Sequence, residues 1–366
     1  MTDTEQKNAG EQSTLVAGKM PPYPDARELI LITGGTGFIG SRIIEKLSDR
    51  YRIVVLDQGG NSPVVAECIY MDLTSTDSMV AAFDRVEYAY GNKIASVIHL
   101  AAYYDFSGKP SPMYDRVTVH GTHKLLLALK RFEVDQFLFS SSLLVYRPTR
   151  PGRKTDEDSR LDPSWDYPKS KVRAENVIFI DRGIIPALIL RIAGVYTDKG
   201  NSIPLANHIQ RIYEKQLTSH FFPGEKMHGN PFVHLDDLVD AIVLAIENRK
   251  RLPQETIVNI GEAETLSFDY LQKSLGSLLH HKEWKTYRIP GYVAKAGAWV
   301  QDLFGDPFIK PWMIDMADDH MELDISKAKN VLGWEPKHTL AETLPKIVDA
   351  LARDPKKWYK ENKLKG

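Results

Sequence analysis

A single cysteine, Cys68, stands among 366 residues, so no intramolecular disulfide can staple the chain, and the expected setting is a reducing one. Charge of either sign is barely in excess: the formal net value is −1, and there is no basic block. That balance argues against nucleic acid as the main partner. No apolar run approaches the roughly 20 residues needed to cross a bilayer. No repeat is visible, and no metal is expected. Residues 1–25 are polar and lack the apolar stretch of a secretory signal, so they read as a loose tail and the chain as cytoplasmic. What remains is a length and a 43% hydrophobic content sufficient for one sizeable α/β domain with a smaller lobe.

The clearest local signal runs from Leu29 to Gly40. Leu29-Ile30-Leu31-Ile32 is a short continuous apolar run that reads as a buried parallel strand, and Ser41 to Leu47 then takes helical spacing. Between them lies Gly34-Gly35-Thr36-Gly37-Phe38-Ile39-Gly40. A strand, a glycine turn and a helix in this order aim free backbone N–H groups and the positive helix end at one place, which suits a dinucleotide pyrophosphate. Gly34 permits the tight turn, Gly37 lets the cofactor approach the backbone, and Gly40 lets helix and strand pack closely.

A second strand, Tyr51 to Leu56, ends at Asp57, seventeen residues after the last glycine, where a carboxylate binds the adenosine ribose and repels a 2′-phosphate. Gln58-Gly59-Gly60 offers no arginine to hold such a phosphate, so NAD is expected over NADP. Cys68 to Met71 reads as a third strand with Cys68 in the core. Asp72-Leu73 follows, either beside the adenine or as a cap for the helix from Ser75 to Phe83. Ala95 to Ala102 is the fourth strand; its small end residues Ala101 and Ala102 let a cofactor lie on the backbone, and His99 inside it reads as packed and hydrogen-bonded. A helix from Thr118 to Phe132 and a strand from Gln136 to Ser142 complete the pattern.

Tyr167 and Lys171 are four residues apart on the next helix and share a face. A tyrosine with an ordinary pKa of about 10 is a poor base at neutral pH, and a neighbouring ammonium lowers it. Ser142, at a strand end, is placed to bond the same substrate oxygen. The three suit removal of a proton from an alcohol as its hydride leaves.

The chain resembles the extended short-chain dehydrogenases/reductases of the NAD-dependent epimerase/dehydratase family over about residues 29–344. The resemblance rests on the Gly34 to Gly40 turn, Asp72-Leu73, His99 to Ala102, Ser140-Ser141-Ser142 with Val145-Tyr146, and Tyr167 to Lys171. It continues through Leu190-Arg191, Phe232 to Asp237, Asn259-Ile260-Gly261 and Asp324 to Ala328. It implies a Rossmann-type doubly wound parallel sheet over residues 26–200, with 232–265 returning to it. Residues 201–231 and 266–366 would form a smaller, discontinuous substrate lobe. Ser142, Tyr167 and Lys171 would be catalytic. Gly34, Gly37, Phe38, Ile39, Gly40, Asp57, Asp72, Leu73, Ala101 and Ala102 would hold NAD, with Tyr167 and Lys171 also touching it. Tyr103, Ser142, Asn201 and Asn230 would meet the substrate, and two copies would pair through the helices carrying Thr118 and Tyr167.

Departures from that pattern bear on substrate. Thr118 replaces the family's asparagine, which changes the support behind the lysine. Leu143 and Leu144 stand where dehydratases carry an acid and a base, so water elimination is disfavoured. Asn230 occupies the place of a diphosphate-binding arginine, and Met313 to His320 is acidic where another arginine is expected. Asn201-Ser202-Ile203-Pro204 does resemble a uridine-receiving segment, and Lys226 or Lys310 offers a point charge. A helical face of Val293, Ala296, Val300, Leu303 and Phe304 reads as core packing, or as an apolar cleft wall. The sequence therefore points to an NAD-dependent oxidoreductase acting on a secondary alcohol or its ketone. The alternatives are a sugar-nucleotide epimerase with transient oxidation and, from another class, a non-catalytic NAD-sensing or scaffold protein.

Overall fold

A computed structural model describes residues 26–59, 66–105, 109–290 and 317–364. The expected tail, the face of Val293 to Phe304, Lys310, and the start of the acidic stretch at Met313 lie outside the described residues.

Seven parallel strands form the central sheet: β1 (Leu29–Thr33), β2 (Arg52–Asp57), β3 (Glu67–Tyr70), β4 (Ser96–His99), β5 (Phe137–Ser142), β6 (Ala187–Ile192) and β7 (Glu255–Ile260). Their order is β7-β6-β5-β4-β1-β2-β3. The order reverses beside β1, so the crevice at the carboxyl ends of β1 and β4 is the switch point where doubly wound sheets take ligands. Both faces are covered, which is why β1 is buried at every position and apolar from Leu29 to Ile32. Ile30 and Ile32 pack with α1 (Phe38–Leu47) and α6 (Leu235–Glu247). Leu29 and Leu31 pack with α2 (Thr76–Tyr90), α3 (His120–Leu129) and α4 (Asp166–Asp181). Cys68 is half-buried rather than in the core, because β3 is the sheet edge.

A third, separate core gathers α5 (Ile203–Tyr213), α7 (Phe268–His280), α8 (Leu340–Arg353) and α9 (Pro355–Glu361) around Tyr196, Trp284 and Trp358. The helix expected from Thr118 begins earlier and differently. Tyr114–Val119 is a π-helical turn leading into α3, a local widening that often marks functional sites.

Candidate active site

The glycine turn does three jobs by geometry. Gly34 has φ +71°, and a Cβ there would stand 2.8 Å from Ala101 N, so the turn presses against the end of β4. A Cβ on Gly40 would stand 2.6 Å from Gly35 Cα, which explains the close helix contact. Gly37 is the N-cap of α1 and supplies no side-chain cap, and the first turn of the helix holds no acidic residue. A Cβ on it would meet only Gly34 O, at 3.2 Å. The end of α1 is thus open and positive, which fits a pyrophosphate over the N–H groups of Phe38 and Ile39. Asp57 closes the turn: its Oδ2 accepts from Thr36 N at 3.2 Å and Thr36 Oγ1 at 2.7 Å. These residues fit a nicotinamide dinucleotide.

Asp72 folds its own turn, its Oδ1 accepting from Thr74 N, Thr74 Oγ1 and Gln58 Nε2, each at 2.8 Å. These bonds hold its carboxyl below the usual range. The cap of α2 is Ser75. Leu73 is buried in the core, where a Cβ on Gly121 would stand 2.9 Å from it. His99 is fully buried, with Nδ1 2.6 Å from Thr33 Oγ1 and Nε2 2.9 Å from Thr122 Oγ1. The Thr122 hydroxyl donates onward to Thr118 O, so Nε2 carries the proton and Nδ1 accepts from Thr33. Burial pushes His99 down to about 3. The ring is a neutral link in the wall, as its apolar setting suggested. Thr118 Oγ1 accepts from Tyr103 N at 3.1 Å, and the Tyr103 ring packs edge-on to Tyr114.

Ser142, Tyr167 and Lys171 do come together. The Ser142 side chain lies beside Tyr167 and favours its ionised form, and its hydroxyl accepts from Leu144 N at 3.2 Å. Lys171 is 2% exposed; its Nζ donates to Ser140 O at 2.7 Å and lies 5.7 Å from the centre of the Tyr167 ring. Burial pushes Tyr167 up to about 12, against the influence of the neighbouring Ser142, and pushes Lys171 down to about 7, against the charge of Glu175. The expected depression of the tyrosine by the lysine is not seen. Desolvation dominates, and the proton rests on the phenol, the form that can donate.

Three features escaped the sequence reading. Tyr104 packs edge-on to the Tyr167 ring at 4.9 Å, and Trp165 lies tilted against it at 5.5 Å. Trp165 also lines a cavity of about 360 Å³ with Leu144, Tyr146, Asp162, Asn230 and His320. Glu175, one turn beyond Lys171, forms a buried ion pair with Arg191; its spacing from Lys171 repeats that of Lys171 from Tyr167, which was a usable signal. Asn230 therefore borders the site. Asn201 does not meet these residues: its Oδ1 accepts from Thr197 Oγ1 at 2.6 Å, its N donates to Asn362 Oδ1 at 2.7 Å, and its Nδ2 donates to Glu361 O at 3.3 Å.

Fold and site together define a dinucleotide-binding α/β protein with a serine, a tyrosine and a lysine gathered at the carboxyl ends of its strands. The profile of the NAD dependent epimerase/dehydratase family matches residues 30–261. The chain belongs to that family, and so to a family of NAD-dependent enzymes. It is 27% identical over 331 residues to a UDP-glucose 4-epimerase of Vibrio cholerae, covering 88% of this chain and 94% of that one. It is 26% identical over 352 residues to a 3 beta-hydroxysteroid dehydrogenase/Delta 5-->4-isomerase of Mycobacterium tuberculosis, covering 87% and 90%. The crystal structure of Thermus thermophilus UDP-glucose 4-epimerase in complex with NAD shares the fold at a TM-score of 0.66 and 22% identity, covering 89% and 99%. Among the described residues no helix is long and apolar enough to cross a membrane, and no group of side chains is arranged for a metal.

Proposed function

We propose that this chain is an NAD-dependent sugar-nucleotide epimerase, oxidising a secondary alcohol carbon of its substrate transiently and returning the hydrogen on the opposite face. The observation that carries the chemistry is the placement of Tyr167 beside Ser142, with the buried Lys171 one turn behind it, at the strand ends near the open glycine turn. The relatives named UDP-glucose 4-epimerase, matched along most of the chain, support the substrate class. This reverses the order of preference that the sequence alone suggests. Residues 34–40 and Asp57 would hold NAD rather than NADP, and bound there the dinucleotide supplies a hydride acceptor and donor. Ser142 orients the substrate oxygen, and Tyr167 takes its proton and gives it back. Lys171, where protonated, provides the positive charge that loss of the phenolic proton requires. Leu144 lines the cavity where elimination would need an acid or base, so the assignment stays with epimerisation. The working unit would be a homodimer in the cytoplasm.

A second reading, net oxidation or reduction of an uncharged alcohol or ketone, is favoured by the cavity itself. Its described lining includes Asp162, Asp319 and Asn230 but no arginine or lysine, and a diphosphate is best held by arginine. The deciding experiment incubates purified protein with UDP-glucose or UDP-galactose and no added cofactor. Interconversion by NAD retained in the protein is expected. Inertness toward both sugars, with stoichiometric NADH formed from added NAD and a simple secondary alcohol, would replace the first reading with the second.

A further inference from the structure

Tyr167, Lys171 and Glu175 follow one another at intervals of four along α4 and form one stripe. Each meets a different serine of the strand end opposite. Tyr167 lies beside the Ser142 side chain, Lys171 donates to Ser140 O, and Glu175 accepts from the Ser141 hydroxyl. Glu175 is 2% exposed, and Arg191 holds it from behind, Nε to Oε1 at 3.2 Å and Nη2 to Oε2 at 2.7 Å. Arg191 sits directly opposite Ser141 in the pairing of β5 with β6. Its remaining nitrogen donates to the Tyr146 hydroxyl at 2.8 Å, and Tyr146 lines the cavity.

We infer that Glu175 is a positioning residue for this site: it anchors α4 to the end of β5 and supplies the negative charge beside the Lys171 ammonium. The inference rests on reading Tyr167 and Lys171 as the acid–base pair. The groups facing Lys171 leave Glu175 as the one that holds a proton there. Tyr167 above it is a neutral phenol, His99 from β4 is a neutral imidazole, Phe139 offers a ring face, and Ser140 offers a carbonyl. Arg191 bonds both oxygens of the carboxylate, and Tyr114 from the π-helical turn acts on Tyr167 rather than on the lysine. With its carboxylate satisfied by Ser141 and Arg191, Glu175 is fixed in place, and its field opposes the burial that drives Lys171 toward neutrality.

The test titrates Lys171 directly in the full chain labelled with 13Cε-lysine, its resonance identified by its loss in Lys171→Met. In Glu175→Gln the midpoint should fall by about one unit, with and without NAD. A Glu175→Gln chain leaves Arg191 buried without its counter-charge, so the double variant Glu175→Gln with Arg191→Met is titrated alongside it, because removing both members of a buried pair is far better tolerated. A fall in the same direction is expected there, smaller because the Arg191 charge that opposes Lys171 protonation is removed with the carboxylate. An unchanged Lys171 midpoint in a folded variant overturns the inference. Retained turnover in Tyr167→Phe would instead overturn the acid–base reading, so the two failures are told apart.

Discussion

Lys171 and Glu262 are both almost fully buried, and burial drives them to the same place from opposite sides. The lysine comes down to about 7 from 10.5, and the glutamate goes up to about 7 from 4.5. Lys171 lies in the seam between β5 and α4, where a carboxylate on its own helix works against desolvation. Glu262 follows β7 and accepts from Leu340 N, the first residue of α8, at 2.9 Å. There the nearby Asp237, itself engaged by Lys337 N and His338 N, adds to desolvation. One group is drawn toward neutrality beside the tyrosine to which the proposed function gives the proton transfer; the other ties the end of the sheet to the third core. A shifted titration therefore marks a catalytic site only when the neighbouring groups can exchange a proton with a substrate.

The sharpest way to break the comparison is Tyr167→Phe. It removes one hydroxyl from the seam, and turnover should fall about 10³-fold or more, the range of a lost general acid–base. NAD affinity, followed by fluorescence titration, should move by less than about threefold. Turnover within an order of magnitude of the unaltered chain would mean that the seam is as structural as the Glu262 joint. Lys171→Met comes next. The native lysine binds fewer protons than the unfolded one between pH 7 and 10.5. Stability from this group is therefore present above the upper value and lost as pH falls through 7. The variant should be more stable than the parent by about 3–5 kcal/mol at pH 6, with the gap closing toward pH 10 in urea unfolding. A gap that does not vary with pH would show that the lysine is not held away from its charged form.

Much of the seam was legible because its parts are local. Gly34 to Gly40, Asp57, and the Tyr167 and Lys171 pair each announce themselves within a few residues, and Ser142 by its strand end. The strands were legible because both sheet faces are covered and apolar residues run unbroken. What escaped depends on register and distance. The partner of Glu175 is set by the alignment of β5 with β6, and the partner of Glu262 lies 78 residues further on. Asn201 carries the look of a nucleotide contact, yet the chain returns 161 residues later to occupy it. The shift of Tyr167 upward was missed for another reason: spacing shows which charge is near, and only the packed structure shows how much water has been removed.

Glu262→Gln sharpens the other half of the comparison. The native glutamate binds more protons than the unfolded one between pH 4.5 and 7, so stability from it is present at low pH and lost as pH rises through 7. The variant should gain roughly 2–3 kcal/mol over the parent at pH 8, with no gap near pH 4.5 and turnover within about threefold. A turnover loss like that of Tyr167→Phe would give the joint a chemical part. The smallest effect is expected at Asp57, outside both regions. Its carboxylate faces the expected ribose site and already accepts from Thr36, and Asp57→Asn keeps an acceptor while removing the charge. The preference for NAD over NADP should narrow by about tenfold, with NAD affinity itself changing little. Titration with the two reduced cofactors reads this directly. An unchanged ratio would mean that shape, rather than the Asp57 charge, excludes the 2′-phosphate.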